Sequence, residues 1–300
     1  MTDLIIVGAG PAGLTAAIYA LRAKKSVLVI EQGALGGQMT FSPKIENYPG
    51  FTELSGNMLA DKMVEQALGL GAEIELDRVT GVRDDGDVKT VVTENGEYAC
   101  RAVILAVGAA HRKLGLPNED RFIGSGISFC AVCDAAFFDG QTVAVIGGGN
   151  SAMQEALLLS DTCKRVVMVQ NLPKLTGEPA LQEKIAARDN IELICSAVAV
   201  GILGDETFAG VEIEHTDTGV REKLAADGMF IAIGLDPQTA PFRDLAAPDQ
   251  WGYFDVDESC AAGVPGVFVA GDCRRKQIRQ ITTAAADGAV AAMAACRYLD

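Results

Sequence analysis

The chain has 300 residues, 49% of them hydrophobic, a length that suits two domains better than one. It carries 25 Lys and Arg against 40 Asp and Glu, which gives a formal net charge of −15 at pH 7. This acidic balance argues against general binding to nucleic acid or to anionic membranes.

The first predicted element is a buried strand, "LIIV" at residues 4–7, and a glycine turn follows it directly. Gly8, Gly10 and Gly13 have Gly-x-Gly-x-x-Gly spacing; a helical pattern follows, and the next strand, "SVLVIE", ends at Glu31. This order is typical of a dinucleotide site: the helix N-terminus binds a diphosphate, and the acid accepts hydrogen bonds from a ribose.

A Cys-x-x-Cys motif comes later in the chain, formed by Cys130 and Cys133 and followed at once by Asp134. A zinc site usually needs about four ligands. The sequence has no second Cys-x-x-Cys, and its two histidines, His111 and His215, lack motif spacing. A redox disulfide is therefore a better interpretation than a metal site, and we expect no metal.

A second dinucleotide-type unit begins at residue 142, where the strand "TVAVI" leads into Gly147, Gly149 and Ala152. A helix and the strand "RVVMV" follow, as in the first unit. The position that matches Glu31 holds Gln170, which is not an acid. The second unit therefore has the fold signature of a nucleotide site but lacks its ribose acceptor.

Linker-like composition at residues 111–120 and 235–242 predicts the domain boundaries. We expect an α/β protein with two Rossmann-like three-layer dinucleotide-binding domains, the second inserted in the first. The first comprises residues 1–112 and 242–300, and the second comprises residues 113–241 with the cysteine pair. The N-terminus lacks the basic region of a signal peptide and no apolar run has membrane-spanning length, so we expect a cytoplasmic protein.

The chain resembles the low-molecular-weight thioredoxin reductases over almost its whole length. The motifs that carry the resemblance are "GAGPAGLTAAIYALRA", "GGQM", "IENYPGF", "ILAVGA", "FCAVCD", "VIGGGNSAMQEAL", "FIAIGLDP", "FVAGDC" and "RQITTAAADGAVAA". The resemblance implies FAD in the first domain, a pyridine-nucleotide fold in the second, thioredoxin as substrate, a homodimer and a large domain rotation.

The resemblance also assigns roles to individual residues. Besides the first glycine turn and Glu31, it implies that six further residues contact FAD: Gly37, Gln38, Asn47, Asp272, Arg279 and Gln280. It implies that Cys133 faces the flavin and that Cys130 attacks the external disulfide. Asp134 would then supply the proton that the leaving sulfur needs; the alternative is a helix cap or a solvated turn acid.

The sequence departs from the family at the positions whose cations bind the 2′-phosphate of NADPH, called the grip positions below. NADPH-using members carry His-Arg-Arg and a further Arg after the second unit's strand, whereas the matching positions here hold Gln170, Asn171, Leu172 and Thr176. Lys174 is the nearby cation that could substitute for them. NAD(P)H is therefore a doubtful donor, because these positions carry no charge to bind a 2′-phosphate.

The cations that bind the 2′-phosphate are also missing from ferredoxin-dependent flavin thioredoxin reductases and from oxygen-linked oxidases of small dithiols. We favour ferredoxin as the donor, ahead of NADH and then NADPH. The presence of Cys130, Cys133 and Asp134 argues against a non-enzymatic nucleotide sensor on the same fold, because a sensor would not need them. The segment "CRRKQIR" places Arg274, Arg275 and Lys276 together as a possible docking surface for an acidic ferredoxin, or as a solvated loop.

Overall fold

The structure is a computed structural model that describes residues 1–42 and 44–300. It divides into two compact units: unit 1 comprises Met1–Ala110 and Asp236–Asp300, and unit 2 comprises His111–Leu235. The boundaries predicted from linker composition lie after residues 112 and 241, two and six residues further along the chain.

The strands of the described chain are, in order, β1 (Thr2–Val7), β2 (Val27–Glu31), β3 (Glu73–Leu76), β4 (Val79–Asp84), β5 (Lys89–Thr93), β6 (Glu97–Leu105), β7 (Ala109–His111), β8 (Ile127–Ser128), β9 (Thr142–Ile146), β10 (Arg165–Val169), β11 (Ile191–Ile194), β12 (Ala197–Leu203), β13 (Gly210–His215), β14 (Arg221–Ala225), β15 (Gly228–Ile231), β16 (Leu235–Pro237) and β17 (Val267–Val269).

The α-helices are α1 (Pro11–Arg22), α2 (Gly56–Gly69), α3 (Glu119–Phe122), α4 (Ala131–Asp134), α5 (Asn150–Ser160), α6 (Pro179–Ala186) and α7 (Ile281–Leu299). Short 3₁₀ helices cover Gly37–Phe41, Ala135–Phe138, Ala240–Phe242 and Gly271–Cys273. Among the described residues, no helix is long and apolar enough to span a membrane.

Unit 1 is built on one sheet with the strand order β3-β2-β1-β6-β5-β4, and β17 pairs with β6 as well. Strands β3, β2, β1, β6 and β17 are parallel, whereas β4 and β5 add an antiparallel hairpin. The apolar segments of β1, β2, β6 and β17 are buried because both faces of the sheet are covered there, whereas the edge strand β3 is mostly exposed. One core lies against α1, α2 and α7, and another lies on the opposite face.

Unit 2 has a parallel five-stranded sheet with the order β11-β10-β9-β15-β8 and a three-stranded antiparallel sheet, β12-β13-β14. Helices α4, α5 and α6 pack around one core, and the antiparallel sheet covers another. Each unit therefore holds the strand–turn–helix–strand arrangement that the sequence predicts, and the α/β fold class is confirmed.

Candidate active site

The parallel strands of unit 1 end together at one edge of its sheet. Val7 pairs with Ile30 and Leu105, and Leu105 pairs with Val269, so the loops after β1, β2, β6 and β17 start side by side. β1 and β6 are neighbouring strands, and their other parallel partners, β2 and β17, lie on opposite sides of this pair. Ligands of open α/β sheets bind outside the carboxyl ends of the strands at such a point.

The glycine turn after β1 is shaped by three different steric demands. Gly8 has φ +103°, and a Cβ there would lie 2.4 Å from the Ala106 oxygen. A Cβ at Gly13 would lie 1.8 Å from the Gly8 oxygen, so α1 can approach β1 only with glycine at this position. A Cβ at Gly10 would meet no described atom within 4 Å. The N-terminus of α1 therefore faces open space at Gly10, where its free N–H groups favour an anion.

Glu31 ends β2 beside this turn, with its carboxylate fixed by the backbone. Its Oε2 accepts a hydrogen bond from the Ala9 N–H at 2.7 Å, and its Oε1 accepts one from the Gly33 N–H at 2.8 Å. A carboxylate has about four acceptor sites, so both oxygens can still accept from a ligand hydroxyl. The residue expected to hold a ribose is therefore held in place and retains free acceptor capacity.

Two other expected residues, Gly37 and Gln38, begin a 3₁₀ helix next to the glycine turn. Gly37 has φ +59°, and a Cβ there would come within 3.2 Å of the Gly10 Cα. Gln38 donates a hydrogen bond from Nε2 to the Ala109 oxygen. Gly37 thus lies against the open side of the turn.

Asn47 and Gln280 contact each other directly. Nδ2 of Asn47 donates to Oε1 of Gln280 at 3.1 Å. Gln280 is also the N-cap of α7 and forms a capping box with Thr283. Both residues therefore belong to the group that surrounds the start of α7.

Asp272 provides the clearest sign of a missing partner in unit 1. Its Oδ1 is buried and makes no hydrogen bond to the described residues, although Nζ of Lys276 lies 3.4 Å away. Burial raises the pKa of Asp272, and the charge of Lys276 opposes that rise. A Cβ at the neighbouring Gly271 would lie 2.9 Å from the Ala12 Cβ, so this segment packs against the first turn of α1.

These observations fit a bound dinucleotide. An open helix N-terminus, an anchored acid at the end of β2 and a buried carboxylate oxygen that makes no hydrogen bond to the described residues lie along one edge of one sheet. Buried polar atoms are normally hydrogen-bonded, and Lys276 reaches Oδ1 of Asp272 only at 3.4 Å, so this oxygen can still accept from a ligand hydroxyl.

The basic segment after Asp272 does not form an exposed docking surface. Arg274 pairs with Asp287 at 2.6 Å, and Lys276 pairs with the same carboxylate at 2.9 Å. The side chains of Arg274 and Lys276 are only 11% and 14% exposed. Arg275 is exposed and pairs with Asp255. The expectation of a three-residue basic patch is therefore wrong for Arg274 and Lys276, because α7 places a partly buried acid between them.

Arg279 is also held inside unit 1. Its guanidinium lies 4.3 Å from the centroid of the Tyr253 ring, and its donors reach the backbone oxygens of Asp272 and Arg274 at 3.4 Å. The stacked geometry keeps the charge close to Asp272.

In unit 2, Cys130 and Cys133 form a disulfide with a Cα–Cα distance of 5.3 Å. Cys130 is the N-cap of the four-residue helix α4, and its oxygen accepts hydrogen bonds from the N–H groups of Cys133 and Asp134 at 3.1 Å. Both sulfurs sit at half-buried positions. The short helix holds the cysteines close enough to open and close a disulfide without rearranging the strands around them.

Asp134 is buried directly beside this disulfide. It is 9% exposed, and its Oδ2 accepts a hydrogen bond from the Ser128 hydroxyl at 2.6 Å, while its Oδ1 has no partner among the described residues. Burial raises the pKa of Asp134, and the Ser128 hydrogen bond partly offsets the rise. A solvated turn acid would not be buried, so the structure favours a carboxyl that can hold a proton.

A second acid, Glu155 on α5, lies against the same short helix. It accepts a hydrogen bond from the backbone N–H of Ala131, the first residue of α4, while its buried Oε2 has no partner among the described residues. Burial and the neighbouring charge of Asp134 raise the pKa of Glu155 to about 8. Two protonatable carboxyls therefore lie at α4: Asp134 is its last residue, and Glu155 contacts its first.

The second glycine turn is intact in its backbone. Gly147 has φ +135°, and a Cβ there would lie 2.4 Å from the Ala232 oxygen. Gly149 is the N-cap of α5, and Ala152 is fully buried beneath it. The turn therefore forms for the same packing reasons as the turn after β1.

The side chains around this turn are bonded to the protein itself. Gln170 is 4% exposed, its Oε1 accepts from the Asn171 N–H at 3.0 Å, and its Nε2 donates to the Lys174 oxygen at 3.3 Å. A Cβ at Gly148 would lie 2.4 Å from the Gln170 side chain, so that side chain rests on the turn. Gln170 is therefore turned inward at the place where a ribose acceptor would be needed.

The loop after β10 continues across the start of α5. Thr176 donates from its backbone N–H to the Gly148 oxygen at 2.9 Å, and Asn150 accepts from the Glu178 N–H at 2.7 Å. Glu178 and Asn150 also bond through their side chains. An acid thus lies beside the helix N-terminus that would have to hold a nucleotide diphosphate, where negative charge opposes binding.

Three residues of the site were missed by the sequence analysis: Ser128, Glu155 and Asp287. Glu155 is half-buried and lies three residues after Ala152 and four before Leu159, on the side of α5 that these two buried residues share. A charged residue on the apolar stripe of a helix is a usable signal. Ser128 and Asp287 carry no comparable mark, because their partners come from other parts of the chain.

The described residues thus fall into two groups, one in each unit, and both have the chemistry of a flavin-linked disulfide enzyme. The chain matches the family described as pyridine nucleotide-disulphide oxidoreductase over residues 2–288. It belongs to that family. Membership implies FAD as cofactor and confirms the predicted oxidoreductase class.

Individual relatives agree with this assignment. A thioredoxin reductase from Listeria monocytogenes is 40% identical over 299 residues, which covers 99% of this chain and 94% of the relative. The crystal structure of a thioredoxin reductase from Streptococcus pyogenes is 42% identical with a TM-score of 0.94, covering 100% of this chain and 98% of the other.

A more distant solved structure bears on the electron donor. It is a ferredoxin-flavin thioredoxin reductase from Clostridium acetobutylicum, 30% identical with a TM-score of 0.53, covering 99% of this chain and 97% of the other.

Proposed function

We propose that the protein is an FAD-dependent disulfide reductase that passes two electrons through Cys130 and Cys133 to thioredoxin. The observation that carries the proposal is a disulfide whose second cysteine is followed directly, on the same short helix, by a buried and hydrogen-bonded acid, Asp134. Relatives that cover nearly the whole chain are named thioredoxin reductases, which supports thioredoxin as the substrate.

In this proposal unit 1 holds FAD at the carboxyl edge of its sheet. Gly10 leaves room for the diphosphate at the start of α1, Glu31 accepts from the ribose, and Asp272 accepts from the ribityl chain. The other proposed contacts are Gly8, Gly13, Gly37, Gln38, Asn47, Arg279 and Gln280. Bound FAD supplies the electron pair that opens the disulfide.

The residues of unit 2 then carry out thiol–disulfide exchange. The Cys130 thiolate attacks one sulfur of the substrate disulfide, forming a mixed disulfide and releasing a substrate thiolate. Asp134 gives that leaving sulfur its proton. Cys133, once deprotonated, attacks Cys130, which restores the protein disulfide and releases the second substrate sulfur.

We further propose that the donor is not NADPH, with ferredoxin favoured over NADH. The grip positions Asn171, Leu172 and Thr176 are exposed and uncharged, while Gln170 is turned inward. Each missing charge-assisted contact forfeits about 1.5–3 kcal/mol, so losing two weakens NADPH binding about a hundredfold or more. A relative that uses ferredoxin on the same fold supports this choice.

A single-turnover experiment tests the sulfur chemistry. The FAD-loaded protein is reduced without oxygen and mixed with oxidised thioredoxin, and the thioredoxin thiols are counted. The fully reduced wild type should reduce two thioredoxin disulfides per chain, one with the electrons of the Cys130–Cys133 pair and one with those of FAD, whereas Cys130→Ser and Cys133→Ser should reduce none. Asp134→Asn should slow the exchange about 10²–10⁴-fold. Cys195→Ser is the control and should be fully active, since Cys195 is a free cysteine outside the pair. Full activity in both pair variants would overturn the proposal.

The donor is tested by mixing the oxidised protein anaerobically with NADPH, NADH or reduced ferredoxin and following flavin absorbance. Reduced ferredoxin should bleach the flavin. NADPH at micromolar concentration should not. The double substitution Asn171→Arg with Leu172→Arg should improve NADPH use, because both positions are exposed and take the place of the missing cations.

Fast reduction of the wild type by micromolar NADPH would contradict the donor proposal. If no donor reduces the flavin but a small dithiol does so and oxygen re-oxidises it, the oxygen-linked dithiol oxidase is the better function. We also infer from the family resemblance that the protein is a homodimer, which sedimentation of the purified protein would test.

A further inference from the structure

The side chain of Glu155 is half-buried, with its Oε2 fully buried, and it has no role in the mechanism given so far. It lies on α5, packed against α4, and its only described hydrogen bond comes from the Ala131 N–H at the start of the Cys-x-x-Cys helix. Its Oε2 and the Oδ1 of Asp134 are both buried without partners in the described part of the chain. Two unsatisfied carboxyl oxygens beside one redox disulfide require an explanation.

A purely structural acid is a poor explanation. A buried carboxylate costs free energy unless it is paired with a cation or fully hydrogen-bonded. Asp134 is the charged neighbour that acts on Glu155, and it has the same sign. The charged residues of α6, Glu183 and Lys184, are exposed, as is Arg165 at the start of β10. No cation of the described elements around Glu155 stabilises its ionised form, so its neutral form is favoured.

We propose that Glu155 is a positioning residue that stores the proton which Asp134 delivers during thiol–disulfide exchange. The proposal rests on the proposed disulfide-reductase function and assigns a further residue to that site. Asp134 and Glu155 then form one titrating unit that shares a single proton: Glu155 holds the proton at rest, and it passes to Asp134, which gives it to the leaving sulfur.

The proton balance of one turnover closes with this pair. The reduced protein starts with a Cys130 thiolate, a Cys133 thiol and one proton on the carboxyl pair. The first leaving substrate thiolate takes the proton of the pair. The emptied pair then removes the proton from Cys133, whose thiolate attacks Cys130, and the second leaving sulfur takes that proton. Two substrate thiols and the protein disulfide result, and the pair regains its proton from water when the disulfide is next reduced.

The pair also sets the pH range of the reaction. Burial and the charge of Asp134 raise the pKa of Glu155 to about 8, so the pair keeps one proton through the neutral range. Above that pH the pair is empty, and exchange should slow. Without Glu155, Asp134 loses its like-charged neighbour and the stored proton, so the alkaline limit should move to lower pH.

The test is the single-turnover reduction of oxidised thioredoxin by the pre-reduced, FAD-loaded protein between pH 6 and 10. Glu155→Gln should keep a near-normal rate at pH 6 and move the alkaline limb down by about one pH unit or more. Glu155→Asp restores a titratable carboxyl and should recover part of that shift. Glu183→Gln on the neighbouring helix is the matched control and should leave the profile unchanged.

Infrared difference spectroscopy supplies a readout that a structural role would not change. The wild type at pH 7 should show the band of a neutral buried carboxyl that Glu155→Gln lacks and Glu183→Gln retains. An unchanged alkaline limb in a folded Glu155→Gln protein, or the absence of that band in the wild type, would overturn the proposal. If instead the reduced wild type transfers nothing to thioredoxin at any pH, the disulfide-reductase function itself fails.

Discussion

At the scale of single residues, substitutions at Gly10 and Gly13 distinguish an effect on FAD binding from an effect on the stability of the fold. A Cβ at Gly10 meets no described atom within 4 Å, whereas a Cβ at Gly13 would lie 1.8 Å from the Gly8 oxygen. Gly10→Ala should therefore leave the thermal stability of the FAD-free protein unchanged but weaken FAD binding at least about tenfold, or about 1.4 kcal/mol, by filling the diphosphate space. Gly13→Ala should lower both, and Gly96→Ala, a control in open space, should change neither. Titration of the FAD-free protein with FAD measures the effect; unchanged affinity in Gly10→Ala would contradict the placement of the diphosphate.

At the scale of elements, the packing of α7 on α1 depends on Gly288. A Cβ at Gly288 would lie 2.1 Å from the Ala12 oxygen, which belongs to the helix backbone and cannot move freely. Glycine-to-alanine changes inside helices usually stabilise by about 0.5–1 kcal/mol, but Gly288→Ala should destabilise by about 1–3 kcal/mol through overpacking. Gly69→Ala at the end of α2, where a Cβ meets no described atom, should be neutral or stabilising. Denaturant unfolding followed by circular dichroism compares them, and a stabilised Gly288→Ala would show that the helices have room.

At the scale of the whole molecule, Glu155 should make stability depend on pH. Its pKa is raised from 4.5 to about 8, so the folded state binds the proton more tightly than the unfolded state does. The resulting stability is complete below about pH 4.5 and is lost as pH rises through about 8. The loss has a slope of at most about 1.36 kcal/mol per pH unit. Glu155→Gln removes this dependence, so its stability relative to the wild type should increase from pH 5 to pH 9. A difference that does not change with pH would show that Glu155 has an ordinary pKa.

The sequence predicts the features that depend on local patterns and leaves open those that depend on contacts between distant parts of the chain. The two glycine turns, the strands around them and the cysteine pair are local patterns, so the α/β fold and the disulfide were predicted from spacing alone. The Asp134–Glu155 pair joins residues 21 positions apart through the packing of α4 on α5, which no local pattern contains. The ion pairs of Arg274 and Lys276 with Asp287 were not predicted for the same reason, because α7 supplies the acid that turns these two expected surface cations inward.

Counting electrons tests the central claim, that FAD and the Cys130–Cys133 disulfide form one electron path to thioredoxin. The FAD-loaded protein is titrated anaerobically with dithionite, and the equivalents recovered on excess oxidised thioredoxin are then measured as thiols. The wild type should accept four electrons per chain, two in FAD and two in the disulfide, and all four should be recovered on thioredoxin. The double variant Cys130→Ser with Cys133→Ser should accept two and return none. A wild type that accepts only two electrons, or a double variant that still reduces thioredoxin, would contradict the account.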